Sequence, residues 1–214
     1  MNSHITEKID KFFSQFFKVS FSKGEIILRP DGKIKNIFLL KKGSVRMYVV
    51  SDDGQEVTLH IFRPGAYFPI MLSLSDQYDK HYFEAIDEVE AIKAPVEKVI
   101  EFIKSDTEVL FDLTTRFSYA ISGLTLRIET MAFEDAYNRV ANLLLYLSQK
   151  FGEETEDKTI INISLQHDDI ANWVGIRRET VSRQFEKMHK EGILENNNKK
   201  LVINVAKLKD TLNN

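Results

Sequence analysis

Short apolar runs recur at regular intervals over the first hundred residues. Three of them, IKNIFLL, SVRMYVV and EVTLHIF, are rich in β-branched and aromatic side chains. Four glycines around these runs lie eleven residues apart, at Gly32, Gly43, Gly54 and Gly65. Short strands separated by glycine-containing turns, at intervals of about 8–12 residues, are typical of an antiparallel sandwich or barrel. Within SDDGQE (51–56) the pair Asp53-Gly54 favours positive φ angles, which predicts a hairpin turn.

The hydrophobic period changes after a last predicted strand, IDEVEAIKAP (86–95). From about Val96 the pattern predicts helix, and two rows of apolar residues form a seven-residue repeat. The rows contain Leu110, Phe117, Leu124 and Met131, with Leu113 and Ala120 at the offset of three. Arg127 interrupts the second row. Such a seam packs either on its own sheet or against a second copy of the chain, and its length favours a homodimer.

The last third of the chain predicts a small α/β unit. An apolar helix (134–151) is followed by a charged loop (152–158), two helices around Gly175 and a β-hairpin with an asparagine-rich turn. The fold class is therefore α+β. We predict three segments: an antiparallel β domain (1–105), a dimerisation helix (106–133) and a C-terminal α/β domain (134–214).

Composition and charge narrow the function. The 214 residues carry a net charge of −3 and no cysteine, which excludes disulfides and cysteine-ligated iron–sulfur clusters. Residues 75–112 hold eleven acidic and four basic side chains, whereas residues 176–200 hold seven basic and four acidic ones. One local basic segment favours contact at a specific site over general polyanion binding. Charges interrupt the N-terminal segment, and no apolar run reaches membrane-spanning length, so we expect a soluble, cytoplasmic protein with no membrane partner.

The segment 167–194, HDDIANWVGIRRETVSRQFEKMHKEGIL, predicts a helix-turn-helix. Gly175 suits a left-handed residue that ends the first helix, and Ile176 fills the corner. In the second helix (177–190), Val181, Phe185 and Met188 share one face. Glu179, Ser182, Arg183 and Glu186 project from the opposite face, with Arg178 at its border. The alternative is a generic amphipathic helical pair.

A polar helix face of this kind matches the chemistry of the DNA major groove. Arginine can donate to guanine O6 and N7, and glutamate can accept from the cytosine amino group. The hairpin after the second helix forms a wing whose Lys199 and Lys200 are placed to contact phosphate. The predicted partner is double-stranded DNA.

The segment LQHDDIANWVGIRRETVSRQ, the turn PGAYF and the helix AFEDAYNRVANLLLYL together resemble the Crp/Fnr family of bacterial transcription regulators. The likeness covers nearly the whole chain and implies a β-roll of the jelly-roll or double-stranded β-helix type, a long dimerisation helix and a winged helix-turn-helix. It also implies a homodimer that reads a palindromic operator and contacts RNA polymerase.

The resemblance assigns roles to individual residues of the DNA-binding domain. Base reading falls to Arg178, Glu179, Ser182 and Arg183. Contacts to the DNA backbone fall to Gln166, His167, Thr180, Lys199 and Lys200. Gln166 stands where this family usually has Thr or Ser as a helix cap, and Gln is a poor cap.

Effector control by cyclic AMP is not expected. Phe68-Pro69-Ile70 occupies the place of the family's Gly-Glu-Leu segment, and Asp79-Lys80 that of its Arg-Ser pair. An aspartate would repel the cyclic phosphate. On the long helix, Leu124 replaces the adenine-contacting Thr, although Thr125 remains.

Other effectors stay open. A heme or another small molecule is not excluded, and the residues placed in the family's effector pocket are Phe68, Met71, His81, Tyr82, Leu124 and Thr125. The aromatic members of this set equally suit core packing. The five histidines show no metal spacing, so no metal site is predicted. The alternatives are an effector-free regulator whose roll supports dimerisation or polymerase contact and, far less favoured, a β-roll metalloenzyme, for which the chain lacks the His-x-His pattern.

Overall fold

The computed structural model describes residues 3–30, 33–75, 80–163, 165–197 and 200–212. The chain forms two compact units, Met1–Gly123 and Leu124–Asn214. The division falls within a long helix, between the predicted boundaries at 105 and 133. Gly32, Asp79 and Lys199, which the sequence analysis singled out, lie outside the described residues.

The first unit consists mainly of short strands followed by helices. Its elements are α1 (Ser3–Phe13), β1 (Phe17–Phe21), β2 (Ile26–Leu28), β3 (Asn36–Lys42), β4 (Val45–Val50), β5 (Glu56–Phe62), β6 (Tyr67–Phe68), α2 (Ile70–Ser75), β7 (Tyr82–Ala85), β8 (Val89–Pro95), α3 (Val96–Ser105) and the start of α4 (Thr107–Phe133).

The strands of the first unit pair into two antiparallel sheets, in the orders β1-β8-β3-β6 and β2-β7-β4-β5. Along β8, Val89 and Ala91 are buried in one core cluster and Ile92 and Ala94 in another, while Glu90 is exposed and Lys93 is half-buried. One core cluster lies between strands of both sheets and includes Val45, Phe68 and Phe83. A second core packs α1, α3 and the first turns of α4 against β3 and β8. The predicted antiparallel roll is confirmed.

Glycine is required at the turn between β3 and β4. Gly43 has a φ of +81°, and a Cβ there would lie 2.3 Å from the carbonyl oxygen of Glu88. The predicted hairpin turn at 51–56 is present, with Gly54 at a φ of +82° and the Ser51 amide bonded to the Gln55 carbonyl oxygen at 2.9 Å. Positive φ favours glycine at both positions because a side chain is strained there.

A break at Asp106 separates α3 from α4. Asp106 adopts an extended conformation, and its carboxylate accepts hydrogen bonds from the amides of Glu108 and Val109 at 3.0 and 3.2 Å. The helical pattern that starts at Val96 is therefore two helices. An aspartate that caps the amides of a following turn favours such a helix start.

The second unit continues from the end of α4. Its further elements are α5 (Ala136–Phe151), β9 (Gly152–Glu154), β10 (Thr159–Ile161), α6 (His167–Val174), α7 (Arg178–Lys190), β11 (Leu194–Asn197), β12 (Lys200–Ile203) and α8 (Val205–Leu212). The strands form one antiparallel sheet in the order β11-β12-β10-β9.

Part of the predicted charged loop 152–158 is strand β9, which pairs with β10. Gly152 has an ordinary φ of −83°, so it does not end α5 through a left-handed conformation. Glycine is needed here because the backbone lies too close to its neighbours for a side chain. A Cβ at Gly152 would lie 2.0 Å from the carbonyl oxygen of Ser148 and 2.4 Å from Thr159 Cγ2. The chain can then fold directly from helix into an edge strand.

Among the described residues, none of the helices combines the length and apolarity needed to cross a membrane.

Candidate nucleic-acid interface

The turn between α6 and α7 fixes the two helices of the helix-turn-helix. Gly175 lies in the left-handed region (φ 68°, ψ 39°), as predicted. The amides of Gly175 and Ile176 both donate to the carbonyl oxygen of Ala171, at 2.9 and 3.2 Å. Glycine adopts this conformation without the cost that a Cβ would add.

The inner face of α7 is buried. Val181, Phe185 and Met188 contact the core of the second unit and are between 0% and 3% exposed. On α6 the buried residues are Ile170, Ala171, Trp173 and Val174. This packing fixes the rotation of α7 about its own axis, so the side chains opposite Val181 face away from the protein.

The outer face of α7 carries the predicted base-reading side chains. Arg178, Glu179 and Arg183 are exposed, and Ser182 is half-buried. Arg183 Nη2 donates to Thr180 Oγ1 at 3.3 Å, and Arg178 Nε lies 3.6 Å from an Asp168 carboxylate oxygen on α6. Both pairs are largely solvated, so they hold these arginines only weakly and leave their donors available.

His167 and Ser182 contact each other across the two helices. His167 Nδ1 lies 2.9 Å from Ser182 Oγ, and the imidazole packs edge-on against Phe185 with ring centroids 4.8 Å apart. The sequence assigned His167 to the DNA backbone and Ser182 to a base, and it contained no signal that the two would meet.

The amino end of α6 is capped by Asp169. Its carboxylate accepts a hydrogen bond from the Gln166 amide at 2.7 Å. The expectation that Gln166 leaves this end poorly capped was therefore incomplete, because an acid three residues later supplies the reciprocal half of a capping box. Gln166 itself is exposed.

The wing holds Lys200 against a neighbouring strand end. Lys200 Nζ donates to Asn162 Oδ1 at 2.8 Å, and Asn162 Nδ2 donates to a Glu153 carboxylate oxygen at 3.0 Å. Lys158 pairs with Glu195 at 2.7 Å, and this contact lowers the pKa of Glu195. Lys200 is exposed and keeps further donor capacity for an anion.

Arg127 links the end of α4 to the helix-turn-helix. Its guanidinium donates to the carbonyl oxygen of Trp173 and lies 5.8 Å from the centre of the Trp173 ring. Burial lowers the pKa of Arg127. The interruption of the seven-residue repeat at this position thus has a cause: the side chain serves a contact within its own unit.

The other side chains of the predicted seam lie in two environments. Leu113 is only 3% exposed and belongs to the core of its own unit, and Phe117 packs against the same core. Leu113 is therefore a core residue and not an interface residue, which corrects the sequence assignment. Leu110, Leu124 and Met131 are exposed, as are Ile121 and Ile128, whereas Ala120 is half-buried.

The residues predicted to line an effector pocket also differ in how far their side chains are buried. Phe68 is 0% exposed and stacks with Phe38, Phe62 and Phe83 at centroid distances of 5.1 to 5.6 Å. A side chain that lines a cavity large enough for water keeps some accessible surface, so Phe68 lines none and its placement in a pocket is corrected to core packing.

The remaining pocket candidates are more accessible. Met71, Leu124 and Thr125 are exposed, and His81 and Tyr82 are half-buried. Tyr82 stacks on Tyr48 with centroids 5.1 Å apart.

An ion-pair network lies beside the Tyr48–Tyr82 stack. Arg46 contacts Glu84 at 2.7 Å and Glu56 at 2.9 Å, and its guanidinium carbon lies 4.2 Å from the centre of the Tyr48 ring. Burial acts to lower the pKa of Arg46, but the two carboxylates outweigh it and raise the pKa. Within the described parts of the chain, no group of three or more acidic or histidine side chains could hold a metal ion.

Comparison with known proteins agrees with this architecture. A family model for the Crp-like helix-turn-helix domain matches residues 138–211, and one for the cyclic nucleotide-binding domain matches residues 18–106. The transcriptional regulator SdrP of Thermus thermophilus is 31% identical over 179 residues, which cover 82% of this chain and 84% of SdrP.

Two further similarities extend over most of the chain. The global nitrogen regulator of Nostoc sp. is 26% identical over 186 residues, covering 86% of this chain and 83% of that protein. A solved structure of a CooA mutant from Carboxydothermus hydrogenoformans shares the fold, with a TM-score of 0.79 at 22% identity over 94% of this chain and 90% of that one.

SdrP is named a transcriptional regulator and the Nostoc protein a global nitrogen regulator, which supports the prediction that the chain is not an enzyme. The turn glycine, the buried inner face and the polar outer face of α7 are the features that a DNA-reading domain requires. The chain belongs to the Crp/Fnr family of transcriptional regulators and carries its DNA-binding helix-turn-helix domain.

Proposed function

We propose that the chain acts as a homodimer that reads an inverted repeat in double-stranded DNA through α7. The observation that carries this proposal is the division of α7 into two faces. Three large apolar side chains are buried on one face, and Arg178, Glu179 and Arg183 are exposed on the other. A helix divided in this way can enter the major groove with its donors and acceptors forward.

Each side chain on the outer face has a complementary base edge. Arg183 can donate two hydrogen bonds to guanine, and Glu179 can accept from the amino group of cytosine. By the family resemblance, they read a C·G and a G·C pair in a half-site similar to TGTGA or TTGAT. Arg178 then reaches a further guanine or a phosphate.

Contacts to the DNA backbone come from the ends of the domain. Gln166 and His167 lie at the amino end of α6, where amides and the helix dipole favour an anion. Thr180 lies on α7 at the border of its outer face, and Lys200 lies on the wing. These contacts fix the position of the domain on the duplex but carry no sequence preference of their own.

Dimerisation follows from the exposed apolar face of α4. At about 100° per residue, Leu110, Ile121, Leu124, Ile128 and Met131 fall within about 80° of the helix circumference. They remain exposed in the single chain. Pairing with a second α4 removes this stripe from water, and each apolar side chain so buried contributes about 1.5–3 kcal/mol.

Selection from a random DNA pool tests the base-reading role. Arg183→Ala should weaken binding by about 1–3 kcal/mol per half-site and flatten the preference at one base position. Lys200→Ala should weaken binding to all sequences alike and reduce the salt slope by roughly one unit. If Arg183→Ala returns the wild-type motif with uniformly weaker binding, α7 does not read bases as proposed.

Control of DNA affinity has two candidate modes. A small ligand other than cyclic AMP could act in the roll, in keeping with a family model for a cyclic nucleotide-binding domain over residues 18–106. The fully buried Phe68 stack favours the second mode, in which the regulator needs no effector. Of the residues that the resemblance assigns to a ligand pocket, Phe68 is fully buried among other aromatic side chains.

DNA affinity before and after removal of bound small molecules separates the two modes. Protein that is unfolded in denaturant, dialysed and refolded should bind its operator as tightly as freshly purified protein if no effector is needed. Calorimetry with cyclic AMP should show no binding, because Phe68-Pro69-Ile70 replaces the acidic ribose contact and Asp79-Lys80 replaces the phosphate-binding pair, where the aspartate repels the phosphate. Micromolar cyclic AMP affinity would contradict this.

A further inference from the structure

The structure brings a histidine of α6 against a serine of the reading helix. We propose that His167 fixes the hydrogen-bonding polarity of the Ser182 hydroxyl and thereby selects the base that Ser182 contacts. This rests on the proposed reading of DNA by α7. His167 is then a positioning residue: it acts on the base through Ser182.

Two contacts hold the imidazole in place. Nδ1 lies 2.9 Å from Ser182 Oγ, and the ring edge packs on Phe185, one turn further along the same helix. The half-buried ring therefore follows any movement of α7. The nearby carboxylates have other partners, since Asp169 accepts from the Gln166 amide and Asp168 lies 3.6 Å from Arg178.

The chemistry of the pair gives two states. A serine hydroxyl has one donor and two acceptor sites, and a neutral imidazole has one nitrogen of each kind. If Nδ1 accepts, the Ser182 hydrogen points at His167 and only lone pairs face the base. If Nδ1 donates, the Ser182 hydrogen is free to donate to the base.

Phosphate binding selects between these states. Nδ1 is occupied by Ser182, so Nε2 is the atom of His167 that remains for the DNA backbone. Phosphate oxygens only accept, and Nε2 must therefore carry the hydrogen. In a neutral imidazole Nδ1 is then the acceptor, and Ser182 presents an acceptor to the groove. The base it selects must offer an amino group there, which means adenine or cytosine.

Selection from a random DNA pool tests this proposal with five variants. Wild type should prefer adenine or cytosine at one position of each half-site, and Ser182→Ala should lose that preference by about five- to tenfold. His167→Phe should lose it to the same extent, because the freed hydroxyl can donate or accept. The double variant should match Ser182→Ala at this position.

Rescue and control variants separate positioning from packing. His167→Asn keeps both a donor group and an acceptor group and should restore much of the preference. His189→Asn, at the other end of α7, should leave it unchanged. Thermal unfolding of each variant shows whether the fold persists, and the Asn variant keeps the test valid if the Phe variant fails to fold.

Three outcomes would count against the proposal in different ways. Uniformly weaker binding of both His167 variants, with the preference intact, would leave His167 a backbone contact only and overturn the proposal. An unchanged motif for Ser182→Ala, with Arg183→Ala still altering its own position, would refute this inference but not the proposed function. An unchanged motif for Arg183→Ala as well would refute both.

Discussion

Tyr67 carries a hydroxyl that folding removes from water. The side chain is 6% exposed, and its hydroxyl has no hydrogen-bond partner among the described residues. Burial raises the pKa of Tyr67 to about 12. An unpaired buried polar group costs about 1–3 kcal/mol, so the hydroxyl of Tyr67 lowers the stability of the first unit although its ring is part of the core.

Replacing Tyr67 by Phe should therefore raise the free energy of unfolding by about 1–2 kcal/mol at neutral pH. The folded-state pKa lies above the ordinary value of 10, so the unfolded chain releases this proton first as pH rises. Between pH 10 and 12 the wild type should lose about 2 kcal/mol of its free energy of unfolding through this group, and the variant should not. Urea titrations followed by circular dichroism at both pH values measure this. Tyr119→Phe, at an exposed position, is the control, and equal stability of Tyr67→Phe and wild type would contradict the argument.

In the DNA-binding site, the exposure of single side chains could be predicted from the sequence, but contacts between helices could not. The exposure of Arg178, Glu179 and Arg183 followed from helical periodicity, because Val181 and Phe185 had to be buried. The contact between His167 and Ser182 did not, since it depends on the angle between two helices and not on spacing within either. Asp169 was missed because a capping box reads clearly only when its first residue is Ser or Thr.

Helix α4 shows that sequence alone does not identify the partner of a buried face. A seven-residue apolar repeat predicts that one face of a helix is buried, but it does not distinguish the core of the same chain from a second copy. Leu113 and Phe117 face the core of their own unit, whereas Leu124 and Ile128 are 44% and 68% exposed. The break at Asp106 was hidden because no Gly or Pro marks it. The strands β3, β4 and β5 agreed closely with prediction because runs of β-branched and aromatic residues are bounded there by turn glycines.

A dimer through α4 makes a direct prediction. Leu124→Glu together with Ile128→Glu should give monomers, since two charges in a paired apolar seam cannot keep their hydration. These positions avoid Phe117, whose replacement would also disturb the core of the first unit. Light scattering gives the mass. Ser118→Glu with Ser122→Glu adds equal charge beside Glu129 and should leave a dimer. A dimeric mass for the Leu124/Ile128 variant would exclude this seam.

The contact from Arg127 to α6 predicts a change in the stability of the second unit. Arg127→Met removes a cation from the carboxyl end of α6 and leaves the Trp173 carbonyl oxygen without this donor. The free energy of unfolding should fall by about 1–3 kcal/mol. Trp173 is the single tryptophan of the chain, so its fluorescence in urea follows this unit directly. Lys190→Met removes an exposed cation from the last turn of α7 and should cost less than about 1 kcal/mol, since it loses only a solvated contact with the helix dipole. Equal midpoints for the two variants would mean that Arg127 contributes no stability.

Charge is unevenly distributed over the molecule as a whole. The net charge is −3, while residues 176–200 carry an excess of three positive charges. A protein of this kind is drawn to DNA only where its basic segment faces the duplex, so general binding is weak and binding to two half-sites at once matters more.

The spacing between half-sites is the prediction that involves the whole dimer. Two α7 helices related by a two-fold axis should enter successive major grooves about 34 Å apart. Five added base pairs between the half-sites turn one of them to the opposite side of the duplex, because a helical turn takes about 10–10.5 base pairs. Affinity should then fall by roughly a hundredfold or more, as binding at two sites becomes binding at one.

Fluorescence anisotropy with both operators measures this effect, and the Leu124→Glu/Ile128→Glu variant provides the control. As a monomer it occupies each half-site separately, so its affinity should not depend on the spacing. A wild-type affinity that is equally indifferent to the five added base pairs would show that the two reading helices are not held at a fixed distance. Dimerisation through α4 would then contribute nothing to the choice of operator.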